Sequence, residues 1–307
     1  MKNVISFFII ILLFGVCYFY RDNITDYIID NIVAPKDTVV YKDNPYALKN
    51  SYHFLQINDD FFPKNKQDIL NIIYTRLDQG LDEFYFYCDD DYPNCENDVK
   101  EITNNDILLS EINNFIHPYN SYDKLSITFD SFGKILIKTG KLYTEDQIVQ
   151  VNELIDEFIN NNVNPNSSDI DKIRVFHDYV INSTKYDQAK ADAIKAGTDL
   201  TDSYNSQTAY GALIEHMAIC GGYSDAMAIY LNKLGIQNYK VASDIHVWNV
   251  VKLDDYWYHL DLTWDDPVTS DGSDAIIDDF FLIDTNTLQT LNLEEHNFDK
   301  SVYVEAS

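Results

Sequence analysis

Hydrophobic residues recur at helical spacing in two neighbouring segments of the second half of the chain. In the first segment they form one face, which consists of Ile148, Val151, Leu154, Ile155 and Phe158. Thr144 and Gln147 precede this face in the pattern of a capping box, which marks a helix N-terminus. The second segment begins at Ser168 and has the same spacing. We therefore predict two amphipathic helices.

Apolar and polar residues alternate in the segment "DIHVWNVVKLDDYWYHLDLTWDDP", and this pattern predicts β-strands. Two such runs meet at Asp254-Asp255, which can form a two-residue turn. A turn centred there pairs residues whose numbers sum to 509, and it makes His246 and Asp261 diagonal neighbours on one face of the hairpin. His259 shares this face. A three-residue loop would instead place His246 and Asp261 on opposite faces.

The first half of the chain also contains helix and strand patterns. A helical pattern at Ile69, Ile72, Ile73 and Leu77 ends at Gly80. The run "EFYFYC" predicts a strand, and "DKLSITFDSFGKILIKTGK" predicts a hairpin. We predict a linker at 34–52, a small α+β domain at 53–142 and a second unit at 143–307.

The N-terminus carries an apolar run from Val4 to Tyr20 that is interrupted only by Ser6. A helix of this length covers about 25 Å, which is close to the hydrocarbon thickness of a bilayer. A cleaved signal peptide is the alternative, but no small-x-small cleavage site follows the run. We expect an uncleaved anchor within residues 1–33 of a single-pass cell-membrane protein, with the body of the protein outside the cytoplasm.

Acidic residues dominate the composition. Asp and Glu outnumber Lys and Arg by 50 to 22, which gives a formal net charge of −28 at pH 7. Phosphate-backbone binding needs clustered Lys and Arg, so the composition excludes a nucleic-acid partner. We interpret the acidic residues as a solvated surface that keeps the protein soluble, with cation binding outside the cell as the alternative.

The chain contains four cysteines, which are Cys17, Cys88, Cys95 and Cys220. In an exported protein, Cys88 and Cys95 can pair across the short segment "CDDDYPNC". Two reduced, packed cysteines are the alternative, and a zinc site is disfavoured because the spacing is long and no histidine lies nearby. The expected disulfide leaves Cys220 as a lone exported thiol.

Cys220 lies at or just before the start of a third helical pattern, which runs from Gly221 to Gly235. Unpaired backbone N–H groups and the helix dipole favour a thiolate at such a position. We expect the two glycines after Cys220 to allow close approach of a substrate backbone. A buried structural cysteine remains the alternative. His216 lies four residues before Cys220, but no further cysteine is near, and we expect neither a metal nor a cofactor.

Cys220, His246 and Asp261 together provide the groups that nucleophilic thiol catalysis needs. A histidine accepts the thiol proton and later protonates the leaving amine, while the carboxylate fixes the tautomer of the ring. The shared face of the hairpin also allows His259 as the base. The spacing of the residues does not decide between the two histidines.

The stretches "AYGALIEHMAICGGYSDAM" and "HVWNVVKLDDYWYHLDLTWDDP" resemble the core of the transglutaminase-like superfamily in its bacterial membrane-anchored branch. The resemblance covers residues 170–296. It implies that Cys220 is the nucleophile, His246 the base and Asp261 the acid. It also implies an α+β papain-like transglutaminase core, in which the cysteine helix packs on an antiparallel sheet. Members of the superfamily include transglutaminases, peptidases, deamidases and inactive homologues.

The sequence therefore predicts an extracytoplasmic cysteine enzyme that attacks amide bonds through a thioester at Cys220. Its expected partners are a protein or peptide substrate, including cell-wall peptide, and the membrane. Tyr210 and Gln207 are candidates for donating to an oxyanion, and Trp248 is a candidate for a substrate-binding wall. The alternative is a non-catalytic surface module that binds peptides or cell-wall fragments.

Overall fold

A computed structural model describes residues 18–21, 23–24, 62–198, 204–267 and 277–307. The predicted anchor within 1–33 lies outside these residues except for a few positions after Cys17, and the predicted linker at 34–52 lies outside them entirely. Within the described residues, no helix is both long enough and apolar enough to cross a bilayer. The expectations about the N-terminus stay predictions.

The region 62–141 combines three α-helices and a short 3-10 helix (Pro118–Asn120) with a three-stranded antiparallel sheet, in which the third strand along the chain lies between the first and the second. Its elements are α1 (Lys66–Asp78), β1 (Glu83–Tyr87), α2 (Cys95–Thr103), α3 (Asp106–Phe115), β2 (Tyr122–Phe129) and β3 (Lys134–Lys141). The predicted helix, strand and hairpin are all present. Gly133 adopts a φ of 77° in the hairpin turn, a conformation that favours glycine.

A disulfide joins Cys88, which directly follows β1, to Cys95 at the first position of α2. The two Cα atoms lie 5.6 Å apart, a normal separation for a disulfide. Cys95 is buried in the hydrophobic core of this region together with Val99 and Ile102. The bridge therefore ties the end of the strand to the start of the helix.

Helices and two short parallel strands lead from this region to Cys220. They are α4 (Glu145–Asn162), α5 (Asp169–Ser183), β4 (Lys185–Tyr186), α6 (Gln188–Lys195), β5 (Met217–Ala218) and α7 (Cys220–Lys233). A π-helical turn, Gly211–Glu215, precedes β5. The predicted capping box of Thr144 and Gln147 begins α4, and the Ser168 side chain caps α5. Both predicted amphipathic helices are confirmed.

A four-stranded antiparallel sheet follows α7, and its strands lie side by side in chain order. Its strands and short helices are β6 (Asn238–Ala242), β7 (Val247–Leu253), β8 (Tyr256–Leu260), α8 (Leu262–Asp265), β9 (Phe281–Ile283) and α9 (Thr285–Leu291). β7 and β8 pair in the predicted register, with Val250 opposite His259 and Leu253 opposite Tyr256. Asp254 enters the two-residue turn with a φ of 51°.

Helix α7 packs on strands β6 and β7, and its buried side chains share a core with the preceding helices. Phe176 on α5 stacks on Tyr230 of α7, with ring centroids 4.0 Å apart. The first region also reaches this sheet, because the Phe115 ring lies 5.5 Å from the Tyr239 ring. The chain therefore has the predicted α+β class with antiparallel sheets.

A buried ion pair fixes α7 against β6. Lys240 Nζ lies 2.7 Å from Asp225 Oδ1, and the two side chains are only 7% and 3% exposed. The Tyr143 hydroxyl donates to the other carboxylate oxygen at 2.7 Å and accepts from the Ala209 N–H at 2.7 Å. The network therefore joins the cysteine helix to the sheet and to the segment before the π-helical turn.

We expect Asp225→Asn to lower the free energy of unfolding by about 3–5 kcal/mol, because it removes the carboxylate charge that faces the buried Lys240 ammonium. Asp156→Asn is the matched control. It breaks the Lys233–Asp156 pair, whose carboxylate side chain is 60% exposed, and should cost at most about 1 kcal/mol. Denaturant unfolding of the full-length variants measures both values, and equal losses would contradict the prediction.

Candidate active site

Cys220 is the first residue of α7, directly after the N-cap Ile219. The Ile219 N–H donates to the Ser206 carbonyl at 2.8 Å, which fixes the approach to the helix. The first amide groups of a helix lack intrahelical acceptors, so they present positive partial charge near the Cys220 sulfur. Cys220 is partly exposed and is the free cysteine among the described residues. Its position at the helix start is the one the sequence predicts.

The two glycines after Cys220 serve a different purpose from the predicted one. A Cβ on Gly222 would lie 2.5 Å from the Ser206 carbonyl oxygen and 2.9 Å from that of Thr208. A Cβ on Gly221 would lie 3.0 Å from the Gln207 carbonyl oxygen. The glycines therefore allow the chain's own segment 206–208 to pack against the helix start. The expectation that they admit a substrate backbone is corrected.

His246 is positioned by a tight turn between β6 and β7. The His246 N–H donates to Ser243 Oγ at 3.1 Å, and the Ser243 N–H donates to the His246 carbonyl at 2.9 Å. The Nε2 atom of His246 lies 2.6 Å from Asp261 Oδ2, and the side chain lies near enough to Cys220 for the thiol to raise the pKa of His246. Because Nε2 faces the carboxylate, Nδ1 is the ring atom left for the thiol. His246 therefore lies between Cys220 and Asp261.

The electrostatics of this pair favour a charged imidazole. Burial lowers the pKa of His246, but the charge and hydrogen bond of the Asp261 carboxylate, with a smaller contribution from the nearby Cys220, outweigh burial and raise the pKa to about 10. Burial likewise opposes the Asp261 carboxylate, yet the charges and hydrogen bonds of His246 and His296 hold its pKa well below the usual range. Asp261 is therefore ionised at neutral pH.

Asp261 is also fixed by the backbone. It is the N-cap of α8, and its Oδ1 accepts from the N–H groups of Thr263 at 2.9 Å and Trp264 at 3.3 Å. N-terminal amides of a helix stabilise a carboxylate in this position. Backbone donors thus occupy one oxygen and leave the other for imidazole groups.

His296 is a second imidazole on Asp261, and sequence reasoning did not identify it. Its Nε2 lies 2.9 Å from the same Oδ2 atom, and the side chain is fully buried. His296 is 35 residues from Asp261 along the chain and follows α9. No periodicity or strand register predicts a contact made by such a connecting segment. The "EEHNFD" motif was the only available signal.

The ligand atoms of His246, Asp261 and His296 all lie within 4.8 Å of one another, close enough to suggest a metal site. Their N···O separations of 2.6 and 2.9 Å are hydrogen-bond distances. We therefore interpret the three residues as a hydrogen-bonded unit.

Trp248 and His259 lie behind His246. The Trp248 ring stacks on the His246 ring with centroids 5.6 Å apart, and its indole N–H donates to His259 Nδ1 at 3.0 Å. Trp248 is only 1% exposed. It therefore orients the His246 ring, and its candidacy as a substrate-binding wall is corrected. His259 Nε2 contacts the Thr285 hydroxyl at 3.0 Å, so both ring nitrogens have partners other than Cys220.

Stability should fall in acid because His259 is buried as a neutral ring. Burial and the nearby His296 lower the pKa of His259 to about 3. Its contribution is therefore complete above the unfolded pKa of about 6.5 and is lost as the pH falls towards 3. We expect wild type to lose about 1.4 kcal/mol per pH unit more than His259→Gln between pH 6 and pH 4.

Denaturant unfolding across this pH range measures the difference for the full-length proteins. His216→Asn is the matched control, because His216 is exposed and has a φ of 57° that asparagine tolerates. The control should retain the wild-type slope. Identical slopes for wild type and His259→Gln would contradict the assignment of His259 as a neutral buried ring.

A cavity of about 780 Å³ opens over Cys220 and His246. This volume is within the range of small-molecule and peptide side-chain sites. Other residues of its wall include Tyr186, Ile245, Thr263 and Trp264. The described residues that line this cavity do not include Tyr210 or Gln207. The Gln207 backbone nevertheless packs against Gly221, next to Cys220, and the oxyanion role of Tyr210 or Gln207 stays a prediction.

Tyr186 is a cavity residue that the sequence did not single out. It ends β4 and pairs with Ala218, two residues before Cys220. Burial, with the charge of Cys220 as the second cause, raises the pKa of Tyr186 to about 12. The phenol therefore stays protonated and can donate a hydrogen bond beside the nucleophile.

The sequence matches no protein-family model and no curated protein. Among solved structures, the chain is similar to one described as a TGase, with 20% identity, a TM-score of 0.36 and coverage of 47% of this chain and 44% of that chain. It is also similar to a cysteine protease candidate from Cytophaga hutchinsonii, with 14% identity, a TM-score of 0.28 and coverage of 46% and 61%.

The chain thus spans less than two thirds of either solved protein. Both TM-scores are below 0.5, so neither similarity carries a functional conclusion.

Proposed function

We propose that the chain is a cysteine-dependent acyl-transfer enzyme with a transglutaminase-like core, in which Cys220, His246 and Asp261 act as a catalytic triad. The observation that carries the proposal is the position of His246. Its ring hydrogen-bonds to the ionised Asp261 and lies beside Cys220 in the wall of one cavity, and the cysteine is at a helix N-terminus. These are the components of an activated thiol nucleophile.

In the proposed first step, His246 holds the proton of Cys220, and the thiolate attacks the carbonyl carbon of an amide. The S–C bond forms and the carbonyl electron pair moves onto oxygen, where the Cys220 N–H and the Tyr186 hydroxyl can donate to it. The C–N bond then breaks. The leaving amine takes the proton from His246, and a thioester remains on Cys220.

In the second step, water or a primary amine attacks the thioester. His246 accepts a proton from the attacking group, the C–S bond breaks, and the thiolate leaves. Water gives hydrolysis, whereas an amine gives transamidation. Asp261 keeps the proton on Nε2 in both steps, so that Nδ1 faces the sulfur.

The test incubates the full-length protein with casein and a fluorescent primary amine. Amine incorporation identifies transamidation, ammonia release without incorporation identifies deamidation, and new peptide ends identify proteolysis. We expect one of these products from wild type and none from Cys220→Ala. Equal product from Cys220→Ala would reject the proposed nucleophile.

We also propose that the body of the protein lies outside the cytoplasm. The apolar run from Val4 to Tyr20 supports this, as does the Cys88–Cys95 disulfide, because disulfides persist in oxidising compartments. Protease added to intact cells should digest the protein, and a peptide map should recover the two cysteines joined. Complete protection from protease, or free alkylation of both cysteines, would contradict this location.

A further inference from the structure

Both ring nitrogens of His296 face atoms that accept hydrogen bonds. Nδ1 lies 3.0 Å from the Asn292 carbonyl oxygen, and Nε2 lies 2.9 Å from Asp261 Oδ2. A carbonyl oxygen and an ionised carboxylate have no proton to donate. A neutral imidazole carries one N–H and can satisfy only one of these contacts.

The other hydrogen-bond partners of Asp261 require its carboxylate to be ionised. Asp261 Oδ1 accepts two backbone N–H groups, and Oδ2 also faces His246 Nε2 at 2.6 Å. A proton on either oxygen would point at a donor. The protons of the His296 contacts must therefore come from His296.

We propose that His296 is a buried, doubly protonated imidazolium that shares Asp261 with His246 and acts as a positioning residue for the catalytic base. Its positive charge balances the carboxylate, while its Nε2–H holds Oδ2 in place. It touches neither the thiol nor the cavity among the described contacts. The proposed role in the reaction rests on the proposed function, whereas the charge of the ring does not.

The surroundings of His296 combine aromatic rings with several titratable groups. Its ring packs on the aromatic rings of Trp248, Trp264 and Phe280. Among the described residues, its titratable neighbours include Asp261 after β8, His259 on β8, His246 before β7, and the adjacent Glu295, which accepts from the Trp264 indole. Asp265 on α8 interacts with Asp261.

His259 provides an internal comparison, because its contacts require a neutral ring. Its Nδ1 accepts from the Trp248 indole N–H, so Nδ1 carries no proton, and Nε2 faces the Thr285 hydroxyl. A hydroxyl can both accept and donate, unlike a carboxylate. The two buried histidines therefore differ in charge because their partners differ.

The charge of His296 has a consequence for His246. The two rings lie 5.3 Å apart, so a second cation near Asp261 weakens the hold of the carboxylate on the His246 proton. The paired cation therefore lets His246 return its proton to the leaving amine. Without it, His246 remains protonated to a higher pH and releases the proton less readily.

The first experiment measures the charge of His296 directly. Full-length protein labelled with ¹⁵N only at its seven histidines is examined by NMR between pH 5 and pH 8, with His296→Gln used for assignment. We expect both His296 nitrogens to have imidazolium shifts throughout, while His259 has the shifts of a neutral tautomer. A neutral His296 at pH 7 would overturn the proposal, whether or not the enzyme is active.

The second experiment separates the charge of His296 from its hydrogen bond. His296→Gln can keep an N–H donor towards Asp261 but has no charge, and His259→Gln is the matched control that removes a neutral ring. We expect His296→Gln to shift the alkaline limb of kcat/KM upwards by roughly one to two pH units and to lower kcat about tenfold with little change in KM. The control should leave the limb in place.

An unshifted alkaline limb in a folded His296→Gln variant would overturn the proposed role of His296. If no amide substrate is turned over, the alkylation rate of Cys220 by iodoacetamide across the same pH range replaces kcat/KM. A missing activity would then reject the proposed function, while the NMR result would still decide the charge of His296.

Discussion

Replacing His246 with alanine is expected to lower kcat by about 10⁴-fold, since the thiol loses its base and the leaving amine loses its acid. The imidazole hydrogen-bonds to Asp261 and lies beside Cys220, so its removal breaks the connection between the carboxylate and the thiol. The iodoacetamide alkylation rate of Cys220 at pH 6.5 should also fall at least about tenfold, because the thiolate loses its imidazolium partner.

Two control variants make this result specific. His259→Ala should reduce kcat far less, because His259 faces Trp248 and Thr285 and not Cys220. Cys220→Ala combined with His246→Ala should be no worse than Cys220→Ala alone, since members of one catalytic unit are not additive. Additive losses in the double variant would contradict a shared step.

Asp261→Asn should lower kcat by about 10³–10⁴-fold, because the backbone contacts fix the orientation of the asparagine amide. The Oδ1 position accepts two N–H groups, so the amide oxygen of asparagine must occupy it and the NH₂ group must replace Oδ2. That NH₂ group donates to His246 Nε2 and forces the ring proton onto Nδ1. The wrong nitrogen then faces Cys220.

Asp265→Asn is the matched control for this variant. Asp265 is also buried and bonds a histidine, with Oδ2 3.1 Å from His177 Nε2, and its Oδ1 accepts the Phe280 N–H. The same substitution there disturbs a carboxylate–histidine pair that has no described hydrogen bond to Cys220 or His246. We expect a loss of thermal stability with a small change in kcat. A similar loss of kcat in both variants would contradict the specific role of Asp261.

The proximity of His246 and Asp261 could be predicted because it depends on a local hairpin. The register follows from the Asp254-Asp255 turn, and the observed pairing of Val250 with His259 has the predicted sum. His246 directly precedes β7 and Asp261 directly follows β8, so the pairing of these strands fixes the positions of both residues. The helix start at Cys220 was equally local, because Gly235 and the apolar spacing define the helix.

Other features of the site depend on distant contacts that no short pattern contains. His296 reaches Asp261 through the connection after α9, and Gly222 meets the Ser206 carbonyl of a separate loop. Trp248 is one apolar residue in the alternating pattern of a strand, and that pattern does not predict that its indole N–H donates to His259. Each of these roles is decided by which segments pack together, which is a property of the tertiary structure.

The most direct test of the central claim is to trap the acyl group on Cys220. The full-length protein is mixed with an activated alkyl ester, quenched in acid within milliseconds, and mapped by mass spectrometry. We expect one acyl group on Cys220 that hydroxylamine removes, and we expect far less of it in His246→Ala. Turnover without acylation of Cys220, or turnover that persists in Cys220→Ala, would contradict the account.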